Sequence, residues 1–176
     1  MMLIVASGCV QQQADVFPTQ EMRTARGKTA TRVNAKILQA SGLELISLDP
    51  ALVEPERDHP IPPPSEMIDG FRIVGRTTIS DRSEIQQLAE ALKDGISQGP
   101  PFPAGCFFPR HALRLFAGKD TVRIVICFHC ENGHMVAGAA EYHFAINRTG
   151  EAVFDRIFAE HGLRKAELPA VTRSKP

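Results

Sequence analysis

Between Cys106 and His134 the chain carries three cysteines and three histidines: Cys106, His111, Cys127, His129, Cys130 and His134. These side chains bind soft metals, close disulfides or mount nucleophilic attack. Cys127-Phe-His-Cys130 is a C-x-x-C, and with Cys106 and His111 it completes a three-cysteine, one-histidine set of the kind structural zinc takes. A second C-x-x-C, which would make the zinc signature strong, is absent. In an oxidising compartment the default is instead a disulfide from Cys106 to Cys127 or Cys130. Disulfide ranks ahead of metal, and metal ahead of redox catalysis. A thioredoxin-type motif needs its C-x-x-C at a helix N-terminus, where the dipole lowers the thiol pKa, and this one falls in a strand pattern. For a thiol hydrolase with Cys106 or Cys127 as nucleophile, the spacing places no Asn or Asp to orient a histidine.

The backbone under these residues decides which of them can meet. Glu131-Asn132-Gly133-His134 sets Asn-Gly between two apolar runs, the strongest short hairpin signal, and predicts a type I′ turn. That turn pairs Glu131 with His134, Cys130 with Met135 and Cys127 with Gly138. Side chains alternate faces along a strand. Val122, Ile124, Ile126, Phe128 and Cys130 then share one apolar face with Met135, Ala137 and Ala139, which must be core. Arg123, Val125, Cys127, His129 and Glu131 fall on the other, with His134 and Val136. Cys127 and Cys130 are thereby sent to opposite sides, away from any common metal.

A hairpin around Gly118-Lys119 likewise puts His111 on the core face with Leu113 and Leu115, and Arg110 outside, near Cys127 or His129. An inner group of His111 and Cys130 and an outer group of Arg110, Cys127, His129 and His134 result, with Cys106 able to reach either. Each member also has a plain reading. Cys130 is a small buried hydrophobe, His111 a hydrogen-bonded histidine at the core edge, and the outer histidines are solvated.

The elements that must hold these residues follow from periodicity. Residues 1–32 read as a signal-like start and a disordered tether, with one or two helical turns over Val33–Leu38. A single α+β domain spans 33–167. Its strands are expected at Leu43–Leu48, Phe71–Ile79 (with Gly75 at a bulge or a close approach), Arg110–Phe116, Thr121–Glu131, His134–Ala140 and Tyr142–Ile146. Asp81 with Glu84 opens a helix carrying Ile85, Leu88, Leu92 and Ile96 on one face, and Pro100-Pro101 stop it. Thr149 caps a second helix with Phe154, Ile157 and Phe158 on one face and Gly162 as its C-cap. Prolines at 55, 60 and 62–64 make 53–66 an extended loop, and 168–176 a frayed tail. The expectation is an antiparallel sheet of about four to six strands with two helices on one face, a layout that implies no function by itself.

Twenty basic and twenty acidic residues cancel, so no long-range field draws the chain to nucleic acid. There is also no phosphate-cradling glycine loop and no basic strip interleaved with aromatics. No apolar run is long enough for a transmembrane helix.

Met1 to Cys9, MMLIVASGC, resembles the lipobox of bacterial lipoproteins. The resemblance implies cleavage after Ala6-Ser7-Gly8, a lipid on Cys9 and anchorage to the membrane on the periplasmic side of the envelope. A signal of ordinary length needs a start upstream of Met1; with Met1 as the true start the expected location is cytoplasmic. Cys106-Phe-Phe-Pro-Arg-His111 and Val125-Ile-Cys-Phe-His-Cys130, with Leu45-Ile-Ser-Leu-Asp-Pro50 and Phe71-Arg-Ile-Val-Gly75, resemble a group of uncharacterised bacterial proteins. That group often has lipoprotein-type starts and shares a C-F-x-P-R-H element followed by C-F-x-C; the likeness spans roughly residues 43 to 163. It implies that the Cys106/Arg110/His111 and Cys127/Cys130 elements belong together, and it brings no activity. The expected protein is a non-enzymatic envelope lipoprotein, an accessory or interaction module stabilised by a disulfide involving Cys106. The alternative is a zinc-binding domain using Cys106, His111 and Cys127 or Cys130; no other cofactor is expected.

Overall fold

The computed structural model of the chain describes residues 18–53 and 61–168. Cys9 and its lipobox-like flank, residues 54–60 of the proline-rich loop and the tail from 169 lie outside the described residues. The fold is α+β. In chain order it has α1 (Gln20–Gln39), β1 (Gly42–Leu52), β2 (Met67–Ile68), β3 (Phe71–Ile79), α2 (Arg82–Ser97), β4 (His111–Ala117), β5 (Asp120–Cys127), β6 (Asn132–Ala137), β7 (Ala140–Ala145) and α3 (Glu151–Glu160). The seven strands form one antiparallel sheet in the order β2-β3-β1-β4-β5-β6-β7. The added strand is β2, which closes a tight turn onto β3.

The third helix is α1, which continues the turns expected at Val33–Leu38 back through residues 20–32, where a tether was expected. Thr19 caps it, its hydroxyl accepting from the Met22 amide at 3.2 Å. Only Ala30, Val33 and Ile37 are buried along its twenty residues. The stripe toward the core runs through Met22, Arg26, Ala30, Val33 and Ile37, so small residues and one arginine hide a helical period from a hydrophobicity reading. Arg26 sits in the stripe because its guanidinium donates to the Gly99 carbonyl.

In α2, Asp81 accepts from the Ser83 and Glu84 amides, and Ile85, Leu88, Leu92 and Ile96 are buried as the spacing requires. Entry to α3 is made by Asn147, whose side chain accepts from the Thr149 amide and hydroxyl in a single 3-10 turn. Gly162 closes α3 at φ +68. All three helices cover one face of the sheet. Their apolar residues join Leu43, Leu45, Leu113, Leu115, Ile124, Ile126 and Met135 in the main core.

The other face is not a solvated one. Asp69, in the turn between β2 and β3 at one end of the sheet, reaches Arg123 on β5 at 2.8 Å and His134 on β6 at 3.0 Å. The sheet therefore curls into a trough. Inside it Ile46, Leu48, Ile68, Phe71, Ala112 and Val125 form a second apolar cluster, with Phe107 laid over it.

The turn predicted at Asn132-Gly133 lies elsewhere. Residues 128–131 make the turn, and Asn132 and Gly133 are the first residues of β6, opposite Cys127 and Ile126. Met135 faces Ile124 rather than Cys130. Moving Met135 from Cys130 to Ile124 shifts the register by an even number of residues, so each strand residue keeps its face. Two interactions outweigh the Asn-Gly preference: Phe128 is buried against Phe154 and His111, and Cys130 reaches Cys106.

Candidate functional site

The cysteines and histidines separate into three places. Cys106 and Cys130 stand at disulfide distance, their Cα atoms 5.7 Å apart, within the span a disulfide bridges without strain. Cys127 is buried and has no disulfide partner among the described residues, its sulfur accepting from the Cys130 amide at 3.1 Å. Burial pushes its thiol pKa up, against the pull of neighbouring amides and Arg110, so it stays protonated and unreactive. His129 is exposed in the turn. The set Cys106, His111, Cys127 and Cys130 does not converge on a point, because two of its sulfurs face each other and His111 lies on the helix side of the sheet.

On that side His111 is sealed, 1% exposed, with the rings of Phe128, Phe154 and Phe158 at 5.3, 5.7 and 4.8 Å. Its Nε2 meets Asp155 Oδ1 at 2.9 Å. Burial holds the imidazole below its ordinary pKa, against the carboxylate, so the neutral ring donates to Asp155. Although burial opposes it, the His111 and Lys165 bonds bring Asp155 down to about 2. Arg110 joins this cluster through Glu151 at 3.0 Å, where Arg148 and Lys165 also bind; it is not part of the group with His129 and His134. Ser47 faces His111 across the β1–β4 ladder, so a serine, a histidine and an aspartate stand in relay order. Ser47 is buried, however, and its hydroxyl donates to the Arg164 carbonyl at 2.6 Å. A nucleophile that substrate cannot reach does no chemistry, and this cluster fastens α3 to the sheet.

His134 belongs to the trough. Its Nε2 lies 3.0 Å from Asp69 Oδ2, while Asp69 Oδ1 accepts from Arg123. Burial works against the Asp69 charge, but these two donors hold its pKa below the usual range. Asp69 takes the left-handed conformation, φ +48, beside Gly70 at φ +88, which a short polar side chain tolerates. Phe107 bridges Phe71 and His134, with ring centroids at 5.7 and 5.5 Å. On the edge strand His143 pairs directly with His134, and Glu141 lies 3.3 Å from His143. Sequence reasoning assigned nothing to Asp69, Glu141 or His143. The signal for His143 was the two-residue turn at Gly138-Ala139, φ +59 at Gly138, which sets 134 against 143. Nothing local foretold Asp69, since the curl of the whole sheet delivers it.

A cavity of about 740 Å³ opens beside this group, its lining including Arg26, Pro101, Cys106, Phe107, His134 and His143. Small-molecule sites have this size. The first turns of α1 form one wall and the loop from Gly99 to Phe107 another. Cys130 meets that loop at Cys106, at disulfide distance, and its carbonyl accepts from the Ala104 amide at 3.1 Å. Asn132 pins it, donating to the Ala104 and Cys106 carbonyls. Two polar atoms of lining residues, Arg26 Nε and Asn132 Oδ1, are buried without a partner among the described residues.

No protein-family model, curated protein or solved structure matches the chain.

Proposed function

We propose that this protein is a non-enzymatic binding module of the bacterial cell envelope, held to the membrane by a lipid on Cys9, which takes up a small molecule in the cavity behind its paired cysteines. One observation carries the reading: Cys106 stands at disulfide distance from Cys130 in the very loop that walls the cavity. A structural disulfide persists in oxidising compartments and not in the cytosol. The lipobox-like start at Met1–Cys9 points to the same compartment. Sealed Ser47 and His111 and the protonated Cys127 thiol leave the binding reading ahead of catalysis. The cavity suits a ligand with an apolar body, for Phe71, Phe107 and Leu52.

The test uses the full chain expressed from its own reading frame in its native host. Palmitate labelling and membrane fractionation should find labelled protein in the membrane fraction, and Cys9→Ser should abolish the label. Unlabelled, soluble protein with Cys106 and Cys130 both reduced would end the proposal.

A further inference from the structure

We propose that the protein carries a divalent transition-metal site at the rim of the trough, built from His134, His143 and Glu141 and oriented by Asp69. One ligating atom from each of the three lies within 4.8 Å of the others. His143 Nε2 and Glu141 Oε1 are 3.3 Å apart. Two donors at zinc distances and a tetrahedral angle stand about 3.4 Å apart, so that pair is already spaced for a shared ion. His143 and Glu141 are 76% and 53% exposed and free to close the remaining gap.

An ordinary surface ion pair explains less. An exposed His–Glu contact contributes little and gives no reason for a second imidazole set directly across the ladder. Asp69 supplies the further argument. By accepting from Nε2 of His134 it fixes the tautomer and leaves the Nδ1 lone pair for a metal, the carboxylate–histidine arrangement that supports bound ions. Arg123 does not oppose a cation, because its guanidinium is engaged by Asp69 at 2.8 Å. Two histidines and one carboxylate suit zinc or a similar ion and leave a fourth position. Since His134, His143 and Glu141 all line the cavity, that position falls to water or to the polar head of a cavity ligand. The site does not depend on export or on the oxidation state of Cys106 and Cys130.

Cobalt(II) alone, titrated into the purified full chain, is the probe. The expected result is saturation at one equivalent, with d–d bands of a nitrogen–oxygen site and no thiolate charge-transfer band. The exposed variants His143→Ala and Glu141→Gln should each keep the wild-type circular dichroism spectrum and weaken binding at least about tenfold. Asp69→Asn should weaken it about tenfold and move the His134 ring ¹⁵N resonances toward a mixed tautomer without metal. No saturable binding, or undiminished binding by His143→Ala, overturns the site. A thiolate band also overturns it and restores the cysteines as ligands.

Discussion

His111 shows how one polar side chain can be buried and still stabilise the fold. Its ring fills space between three phenylalanines while Nε2 reaches the edge of α3, where Asp155 and Lys165 bring the charges. Removing the donor while keeping the volume isolates the hydrogen bond. His111→Phe should cost about 2 kcal/mol at pH 7, the scale of a lost bond to a charged group, measured by urea unfolding. The deficit should narrow at pH 5.5, because wild type must then keep neutral a ring that the unfolded chain protonates, whereas the variant carries no such group. A deficit that stays constant across that range would show that His111 is not held neutral. Cys127 follows the same logic without a charge: a thiol buried under a turn behaves as a small hydrophobe.

The hairpin between β5 and β6 shows what local signals can and cannot decide. Alternation alone sorted Val122, Ile124, Ile126 and Met135 from Arg123, Val125, Cys127 and His134, and the structure keeps every one of those faces. The turn itself was misplaced because Asn132-Gly133 has a different purpose. Gly133 lies under the Phe144 ring, and a Cβ there would fall 2.6 Å from it and 2.8 Å from the Val125 carbonyl. Gly133→Ala should therefore destabilise by about 1–3 kcal/mol, seen as a lower urea midpoint with an unchanged slope; a neutral result would mean that Phe144 packs elsewhere. Only the last turns of α1, Val33–Leu38, are legible in the sequence, because the earlier part of its buried stripe is small and holds Arg26, whereas α2 is legible from Asp81 and four large apolar residues. The bulge at Gly75 was legible too: the β1–β3 register slips between Ser47 and Leu48 as the partner passes from Gly75 to Ile73. The loop before β4 has little regular structure, so its position depends on ties. Closing a loop with 24 residues of sequence separation contributes about 3 kcal/mol. Cys106→Ser should lower stability by that order under non-reducing conditions, and dithiothreitol should remove the difference from wild type. Equal stabilities before reductant would show that the pair does not hold the loop.

At the scale of the molecule, the curl of the sheet creates a site that no segment carries alone. Asp69 comes from one end of the sheet, His134 and His143 from the other, Arg26 from α1, and Cys106 from the loop after α2. For that reason the candidate site was only partly legible: the cysteines and His134 stand out in the sequence, but their neighbours are set by long-range geometry.

The charged ties also give the whole fold an acid sensitivity. Asp155, Asp69 and Glu151 are all held below their ordinary pKa values, and His111 is held below its own. In each case the unfolded chain binds protons that the folded one refuses, so stability rises with pH. It should be flat between the ordinary histidine value of 6.5 and the ordinary thiol value of 9.0, and decline below 6.5 as unfolded His111 protonates. The fall should steepen below 4.5 as unfolded Glu151 protonates, and again below 3.8 toward about 2 as Asp155 is titrated. Urea midpoints across this range check the shape, and a maximum in acid would contradict it.

The proposed binding module depends on a Cys106–Cys130 disulfide that ties back the loop beside the cavity, and on the oxidising compartment proposed for it. Peptide mapping by mass spectrometry tests this most directly, on protein taken from its native host into alkylating buffer without reductant. The prediction is a Cys106–Cys130 cross-linked peptide, with Cys127 alkylated only after unfolding. Alkylation of Cys106 and Cys130 as separate free thiols, or a bond that includes Cys127, would contradict it.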